Sequence, residues 1–204
     1  MRWKKDIKMK LHYSKTDPYT KKAKQEKYPA RSVYKLEEID KKYNLIKVGD
    51  KVLDLGCAPG SWLLYIAKKV EDKGKVVGVD VLEMKIKIPQ NTIFLKKDVM
   101  NFDVWGKYNV VVSDLAPSTS GIEFVDEERS LEYCKRALKI VQRVLNKGGN
   151  FVCKIFEGEG TEEFFKKVEE SFEFAKRFKP KASRKQSREI YIIGKNYGKS
   201  ANRI

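Results

Sequence analysis

The 204-residue sequence is poor in the residues that bind metals or form disulfide bonds. It contains one histidine, His12, and three cysteines, none of which forms a C-x-x-C pair. This usage predicts reduced thiols and no metal site. The sequence also lacks an apolar run of 18 residues and the apolar core of a secretion signal. We therefore expect a cytoplasmic protein without a membrane-spanning segment.

The positive charge of the sequence is concentrated at its two ends. The formal net charge is +16; residues 1–30 hold ten Lys and Arg against three acidic residues, and residues 176–204 hold ten against one. The segment between these ends is therefore neutral. Basic segments interleaved with tyrosine and phenylalanine are typical of a surface that binds a polyanion. A solubilising tail is the alternative interpretation.

A strand, a glycine turn, a helix and a second strand are indicated by two neighbouring segments. Residues 51–62 read KVLDLGCAPGSW, and residues 75–80 read KVVGVD. Such a unit binds an adenosine-containing cofactor at the carboxyl ends of parallel strands. Glycine allows the ligand to approach the backbone closely, and the carboxylate of Asp80 can accept hydrogen bonds from both ribose hydroxyls.

The turn itself restricts the choice of cofactor. It lacks the G-x-G-x-x-G spacing of a dinucleotide site and the Gly-Lys-Ser/Thr of a P-loop. An acid before the turn, Asp54, suits a cationic ligand better than a pyrophosphate. S-adenosylmethionine carries a sulfonium and an amino group, so we favour a methyl donor over a nicotinamide cofactor. An ordinary turn without a ligand is the remaining alternative.

The periodicity of apolar residues predicts alternating strands and helices. The predicted strands lie near residues 51–55, 75–80, 91–95, 109–114, 149–156, 172–178 and 189–194. The predicted helices lie near residues 30–43, 61–71, 126–146 and 161–170, and Gly148 and Gly149 are expected to end the third. This alternation favours one α/β domain with a mostly parallel sheet covered by helices on both faces.

Four polar residues are candidate site residues because of their positions in the predicted strands and helices. Asp114 ends an apolar strand, Lys154 interrupts another, and Glu189 opens the last one. Lys35 lies on the helix before the first strand. Each alone could be an ordinary strand-end charge or ion pair. Together they offer two lysines and two carboxylates that can converge above the cofactor strands.

The sequence resembles the FtsJ/RrmJ-like ribosomal RNA 2′-O-ribose methyltransferases from about residue 28 to residue 194. The resemblance rests on five motifs, at residues 30–36 (ARSVYKL), 52–62 (VLDLGCAPGSW), 113–117 (SDLAP), 153–156 (CKIF) and 187–191 (SREIY). It implies a Rossmann-like S-adenosylmethionine-dependent fold with a seven-stranded sheet whose last strand is antiparallel. It also implies a catalytic tetrad of Lys35, Asp114, Lys154 and Glu189. The implied cofactor positions are Gly60, Trp62, Asp80, Asp98 and Asp114.

The implied activity is methylation of a ribose 2′-hydroxyl in RNA. The expected target is a uridine of large-subunit ribosomal RNA in the peptidyl-transferase region, modified by a monomer. We expect a basic RNA-contacting extension over residues 1–30, a methyltransferase domain over residues 31–195 and a basic tail over residues 196–204. A tRNA anticodon-loop methyltransferase and a non-catalytic RNA-binding module are the alternatives.

The chemistry of the reaction assigns a role to Lys154. A 2′-hydroxyl is a poor nucleophile, so its attack on a sulfonium methyl group calls for a nearby base. Lys154 must be neutral to accept the proton. Burial and the Lys35 cation favour the neutral form, whereas Asp114 and Glu189 favour the charged form. The sequence leaves open whether Lys154 accepts the proton or orients the hydroxyl.

Overall fold

The computed structural model describes residues 17–118 and 120–198 of the chain. The first sixteen residues of the predicted basic extension and residues 199–204 of the predicted tail lie outside this range, as does His12. The helices are α1 (Pro18–Gln25), α2 (Val33–Tyr43), α3 (Ser61–Val70), α4 (Glu123–Val144) and α5 (Thr161–Ser171). The strands are β1 (Lys51–Leu55), β2 (Lys75–Asp80), β3 (Thr92–Lys96), β4 (Tyr108–Ser113), β5 (Leu145–Phe156), β6 (Phe172–Phe178) and β7 (Glu189–Tyr197).

The seven strands form one sheet in the order β3-β2-β1-β4-β5-β7-β6. Strands β1 to β5 pair in parallel, while β7 runs antiparallel to both β5 and β6. The predicted fold class is thereby confirmed, including the antiparallel last strand. The strand order reverses at β1, between β2 and β4, and ligands of open α/β sheets bind at such a point.

The sheet is covered on both faces. Helices α2 and α3 contribute to one apolar core, and α4 and α5 contribute to the other. Side chains alternate between these faces along each strand. On β5, Val152 packs with α2 and α3, while Phe151 and Cys153 pack with α4 and α5. Lys154 therefore points to the side of the sheet on which α2 and α3 lie.

The structure differs from the predicted elements in two places. Helix α1 was not predicted, although Asp17 caps it by accepting a hydrogen bond from the amide of Tyr19 and proline follows the cap. The prediction that Gly148 and Gly149 end the long helix is wrong. That helix ends at Val144 and passes directly into β5, which contains both glycines. A Cβ on Gly149 would lie 2.8 Å from the carbonyl oxygen of Asn109, so glycine allows β4 to approach.

No helix in the described part of the chain is long and apolar enough to cross a membrane.

Candidate active site

The four residues of the predicted tetrad meet at one edge of the sheet. Asp114 follows the carboxyl end of β4, and Lys154 lies near the carboxyl end of the neighbouring β5. Glu189 is the first residue of β7, which reaches the same edge because it runs antiparallel, and it pairs with Phe156. Lys35 approaches from α2.

The tetrad forms two lysine–carboxylate pairs. Nζ of Lys154 lies 2.9 Å from Oδ1 of Asp114 and donates a hydrogen bond to the backbone carbonyl oxygen of the same residue at 2.8 Å. Nζ of Lys35 lies 2.5 Å from Oε1 of Glu189. Lys154 and Glu189 are only 7% and 8% exposed. Charged groups buried to this extent need such partners.

Tyr191 joins the site, although the sequence reasoning did not select it. It pairs with Lys154 in the register of β5 and β7, and its hydroxyl donates to Oδ1 of Asp114 at 3.1 Å. Burial, followed by the carboxylates of Asp114 and Glu189, raises the pKa of Tyr191 well above its usual value. The hydroxyl therefore remains a donor. Its position two residues after Glu189, on the same face of β7, was the available signal.

Three carboxylates converge beside the glycine turn: those of Asp54, Asp80 and Asp114. Asp54 is completely buried, and neither of its carboxylate oxygens has a hydrogen-bond partner among the described residues. Burial, and then the charges of Asp114 and Asp80, raise its pKa well above the usual value. A cluster of this kind suits a ligand that carries positive charge and hydroxyl groups. The residues present therefore fit S-adenosylmethionine.

Asp80 and Gly60 shape the turn. The two carboxylate oxygens of Asp80 accept hydrogen bonds from the amides of Ala58 and Leu82, at 2.9 and 2.8 Å. Each oxygen keeps a further lone pair for a ribose hydroxyl. Gly60 has a φ of +106°, and a Cβ there would collide with the side chain of Ile86. The left-handed backbone therefore requires glycine, and the side chain of Ile86, in the segment that follows β2, would have to shift to admit a Cβ.

The other two predicted cofactor residues, Trp62 and Asp98, form hydrogen bonds within the protein. Trp62 is 2% exposed, and its indole N–H donates to the carbonyl oxygen of Ser32 at 2.9 Å. It thereby ties the start of α3 to the start of α2. Asp98 is exposed after β3, where it accepts from the amide of Met100 at 2.9 Å. A role of either residue in cofactor binding remains a prediction.

A groove of about 450 Å³ opens at the Lys35–Glu189 pair. Its lining comes from the segment that leads into α2 and from the segment that leads into β7, and includes Arg31, Lys35, Arg184, Gln186, Ser187 and Glu189. Basic and hydroxyl side chains suit the phosphates and sugars of a nucleic acid strand.

The sequence matches the family described as FtsJ-like methyltransferase over residues 28–197. The chain belongs to this family. A relative from Desulfatibacillum aliphaticivorans, named ribosomal RNA large subunit methyltransferase E, is 46% identical over 184 residues, covering 87% of this chain and 89% of the relative. A relative of the same name from Syntrophobacter fumaroxidans is 43% identical over 197 residues, covering 93% of this chain and all of its own length.

Solved structures extend the comparison to the fold. A crystal structure described as a ribosomal RNA methyltransferase from Plasmodium falciparum matches with a TM-score of 0.75 and 27% identity, covering 83% of this chain and 98% of its own. A fibrillarin/Nop5p complex matches with a TM-score of 0.57 at 20% identity, covering 81% and 83% of the two chains. The second likeness concerns the fold alone. The fold of this FtsJ-like methyltransferase is thus the one that its motifs predicted.

Proposed function

We propose that the protein transfers a methyl group from S-adenosylmethionine to the 2′-hydroxyl of a ribose in large-subunit ribosomal RNA. The observation that carries this proposal is the pairing of Lys154 with Asp114 and of Lys35 with Glu189, beside the carboxylate-lined turn. The names of its relatives support a ribosomal RNA substrate. We expect the protein to act as a monomer in the cytoplasm.

The carboxylates at the turn would hold the methyl donor. Asp80 would accept hydrogen bonds from its ribose hydroxyls, and Asp98 would accept one from the adenine amino group. Asp54 and Asp114 would face its positive charges, while Gly60 and Trp62 shape the turn around it. When bound, S-adenosylmethionine supplies an electrophilic methyl group on a positively charged sulfur.

Lys154 would accept the proton of the 2′-hydroxyl. A neutral lysine amine has two N–H donors and one lone pair. Nζ donates one hydrogen bond to the carbonyl oxygen of Asp114 and lies 2.9 Å from Oδ1 of its carboxylate, which fixes the position of the amine. The lone pair of the neutral amine would take the proton, which leaves the ribose oxygen as that oxygen accepts the methyl group. Asp114, itself held by Tyr191, fixes the direction of the amine.

Lys35 and Glu189 would orient the ribose at the end of the groove. Their side chains are 14% and 11% exposed, so the pair borders the groove without being open to bulk water.

The test is methyl transfer to defined RNAs. Purified protein is incubated with S-adenosylmethionine that carries a labelled methyl group and, separately, with large-subunit ribosomal RNA, assembled large subunits and tRNA. We expect a 2′-O-methylated nucleoside in the large-subunit RNA, and no transfer by Lys154→Ala protein. Labelling of a base would refute the ribose assignment, and labelling of tRNA alone would favour the anticodon-loop alternative.

A further inference from the structure

The loop between β6 and β7 is docked onto the first two helices. Ala182 of this loop is 1% exposed and packs in a small apolar cluster with Ala23 of α1 and with Val33 and Tyr34 of α2. The loop therefore has a fixed position relative to the segment that enters α2. These two segments supply the lining of the groove at the Lys35–Glu189 pair.

Arg31 connects both sides of that groove. One end of its guanidinium group, Nη1, pairs with the carboxylate of Asp17, and Nη2 donates to the carbonyl oxygen of Ala182. Its Cζ atom lies 5.3 Å from the ring centre of Tyr19. The side chains of Arg31 and Asp17 are 18% and 15% exposed. We call these contacts of Arg31 with Asp17 and Ala182 the Arg31 bridge.

Asp17 is held as an anion within this bridge. Burial raises the pKa of Asp17, but the hydrogen bond from Thr20 and the Arg31 guanidinium lower it by a larger amount. The pKa of Asp17 therefore lies below its usual value. The same carboxylate caps α1 through the amide of Tyr19. The bridge thus fixes the start of α1, the entry to α2 and the β6–β7 loop with one guanidinium group.

We propose that Arg31 is a positioning residue that aligns the two basic segments for one RNA strand, and that it is not itself a phosphate contact. This inference rests on the proposed function. Exposed cations lie on both sides of the bridge: Lys21 and Lys24 on α1, and Lys181, Arg184 and Lys185 on the loop. They are free to meet phosphates, whereas both Nη atoms of Arg31 already donate, one to Asp17 and one to Ala182.

The Asp17→Asn variant separates the two roles by the sign of its effect. If Arg31 contacted a phosphate, Asp17 would compete for it, and loss of the carboxylate charge would tighten RNA binding. If Arg31 aligns the groove, loss of its anionic partner loosens the loop and weakens RNA binding. Asparagine is as good an N-cap as aspartate, so α1 should persist in this variant.

The Arg31→Lys variant gives a second distinction. Lysine keeps the positive charge that a phosphate contact needs, but its single ammonium group cannot reproduce the fork that joins Asp17 to Ala182. A phosphate contact would survive this change, and the bridge would not. Asp72→Asn removes an exposed acid elsewhere in the described chain and controls for the change in net charge.

The experiment measures the dissociation constant for a large-subunit RNA fragment, the KM for RNA, kcat and the affinity for S-adenosylmethionine. We expect Asp17→Asn and Arg31→Lys each to raise the dissociation constant and the KM by about tenfold, the effect of one lost charge-assisted hydrogen bond. kcat and cofactor affinity should stay within about twofold of wild type. The double variant should be no weaker than either single one, because both remove the same bridge.

Either of two results would overturn the positioning role of Arg31 and leave the proposed function intact. One is tighter or unchanged RNA binding by Asp17→Asn, and the other is wild-type affinity for RNA in Arg31→Lys. Equal weakening by Asp72→Asn would also overturn it, because a substitution outside the bridge would then have the same effect. A wild-type protein that failed to bind RNA would instead overturn the proposed function together with the role of the bridge.

Discussion

Replacement of Lys154 by arginine should separate proton acceptance from orientation of the hydroxyl. Arginine keeps the positive charge and can donate to both oxygens of Asp114 that Lys154 contacts, at 2.9 and 2.8 Å. It cannot lose a proton under protein conditions. If Lys154 acts as the base, Lys154→Arg should therefore be nearly as impaired as Lys154→Ala.

The expected loss follows from the usual contribution of a general base. Such a group accelerates a reaction by about 10²–10⁴-fold. This corresponds to about 2.7–5.4 kcal/mol of transition-state stabilisation at 1.36 kcal/mol for each factor of ten. Cofactor affinity should change little, because Asp114 keeps the hydrogen bond from Tyr191 in either variant.

The assay is single-turnover methyl transfer with saturating enzyme and cofactor, so that RNA affinity and product release do not obscure the chemical step. Lys35→Arg is the matched control, because it makes the same change in the neighbouring pair with Glu189. A cation that only orients the ribose should tolerate arginine, with a loss below about tenfold. A Lys154→Arg protein with a near-normal single-turnover rate would refute proton acceptance by Lys154.

Three further predictions concern the carboxylates and their partners. Tyr191→Phe keeps the buried ring but removes the hydrogen bond to Asp114, and should lower the single-turnover rate by about tenfold, as expected for a hydrogen bond to a charged group. Asp80→Ala should weaken S-adenosylmethionine binding by about 1.5–3 kcal/mol in a calorimetric titration, and unchanged affinity would contradict its role at the ribose. Asp54→Asn should stabilise the ligand-free protein at neutral pH. Because the folded-state pKa of Asp54 is raised, ionisation of this carboxyl lowers the free energy of unfolding of the wild-type protein. This loss of stability is absent below about pH 4, where the carboxyl is protonated in the unfolded protein too, and it grows as pH rises. Urea unfolding from pH 4 to pH 8 checks this, and a stability difference that does not depend on pH would contradict it.

The sheet could be predicted from the sequence because its strands are short apolar runs between polar residues. The bounds of β1, β2 and β6 coincide with the predicted ones. Asp114, Lys154 and Glu189 could be selected because lysine and carboxylates are unusual within or at the ends of such runs, whereas the tetrad as a catalytic unit was implied by the resemblance to the family. Neither inference required knowledge of long-range contacts.

Features that depend on tertiary contacts escaped the sequence reasoning. Helix α1 buries only Ala23, so the sequence shows no apolar periodicity from which the helix could be predicted. Arg31 looked like one of many basic residues, and only the structure shows its guanidinium bound to Asp17 and Ala182. The isolation of the Asp54 carboxylate was equally invisible, because it depends on which groups of other strands fail to reach it.

The direction of β7 explains why chemistry and RNA binding can share one edge of the sheet. In a parallel β7, the first residue would lie at the opposite edge from Asp114 and the end of β5. Because β7 is antiparallel, Glu189 pairs with Phe156 and Tyr191 pairs with Lys154, so both polar residues of β7 fall beside the paired lysine and aspartate. The basic loop that precedes Glu189 must then enter at the same edge. One reversal of chain direction therefore brings Glu189, Tyr191 and the loop held by Arg31 to the edge of the sheet where the glycine turn and the Lys154–Asp114 pair lie.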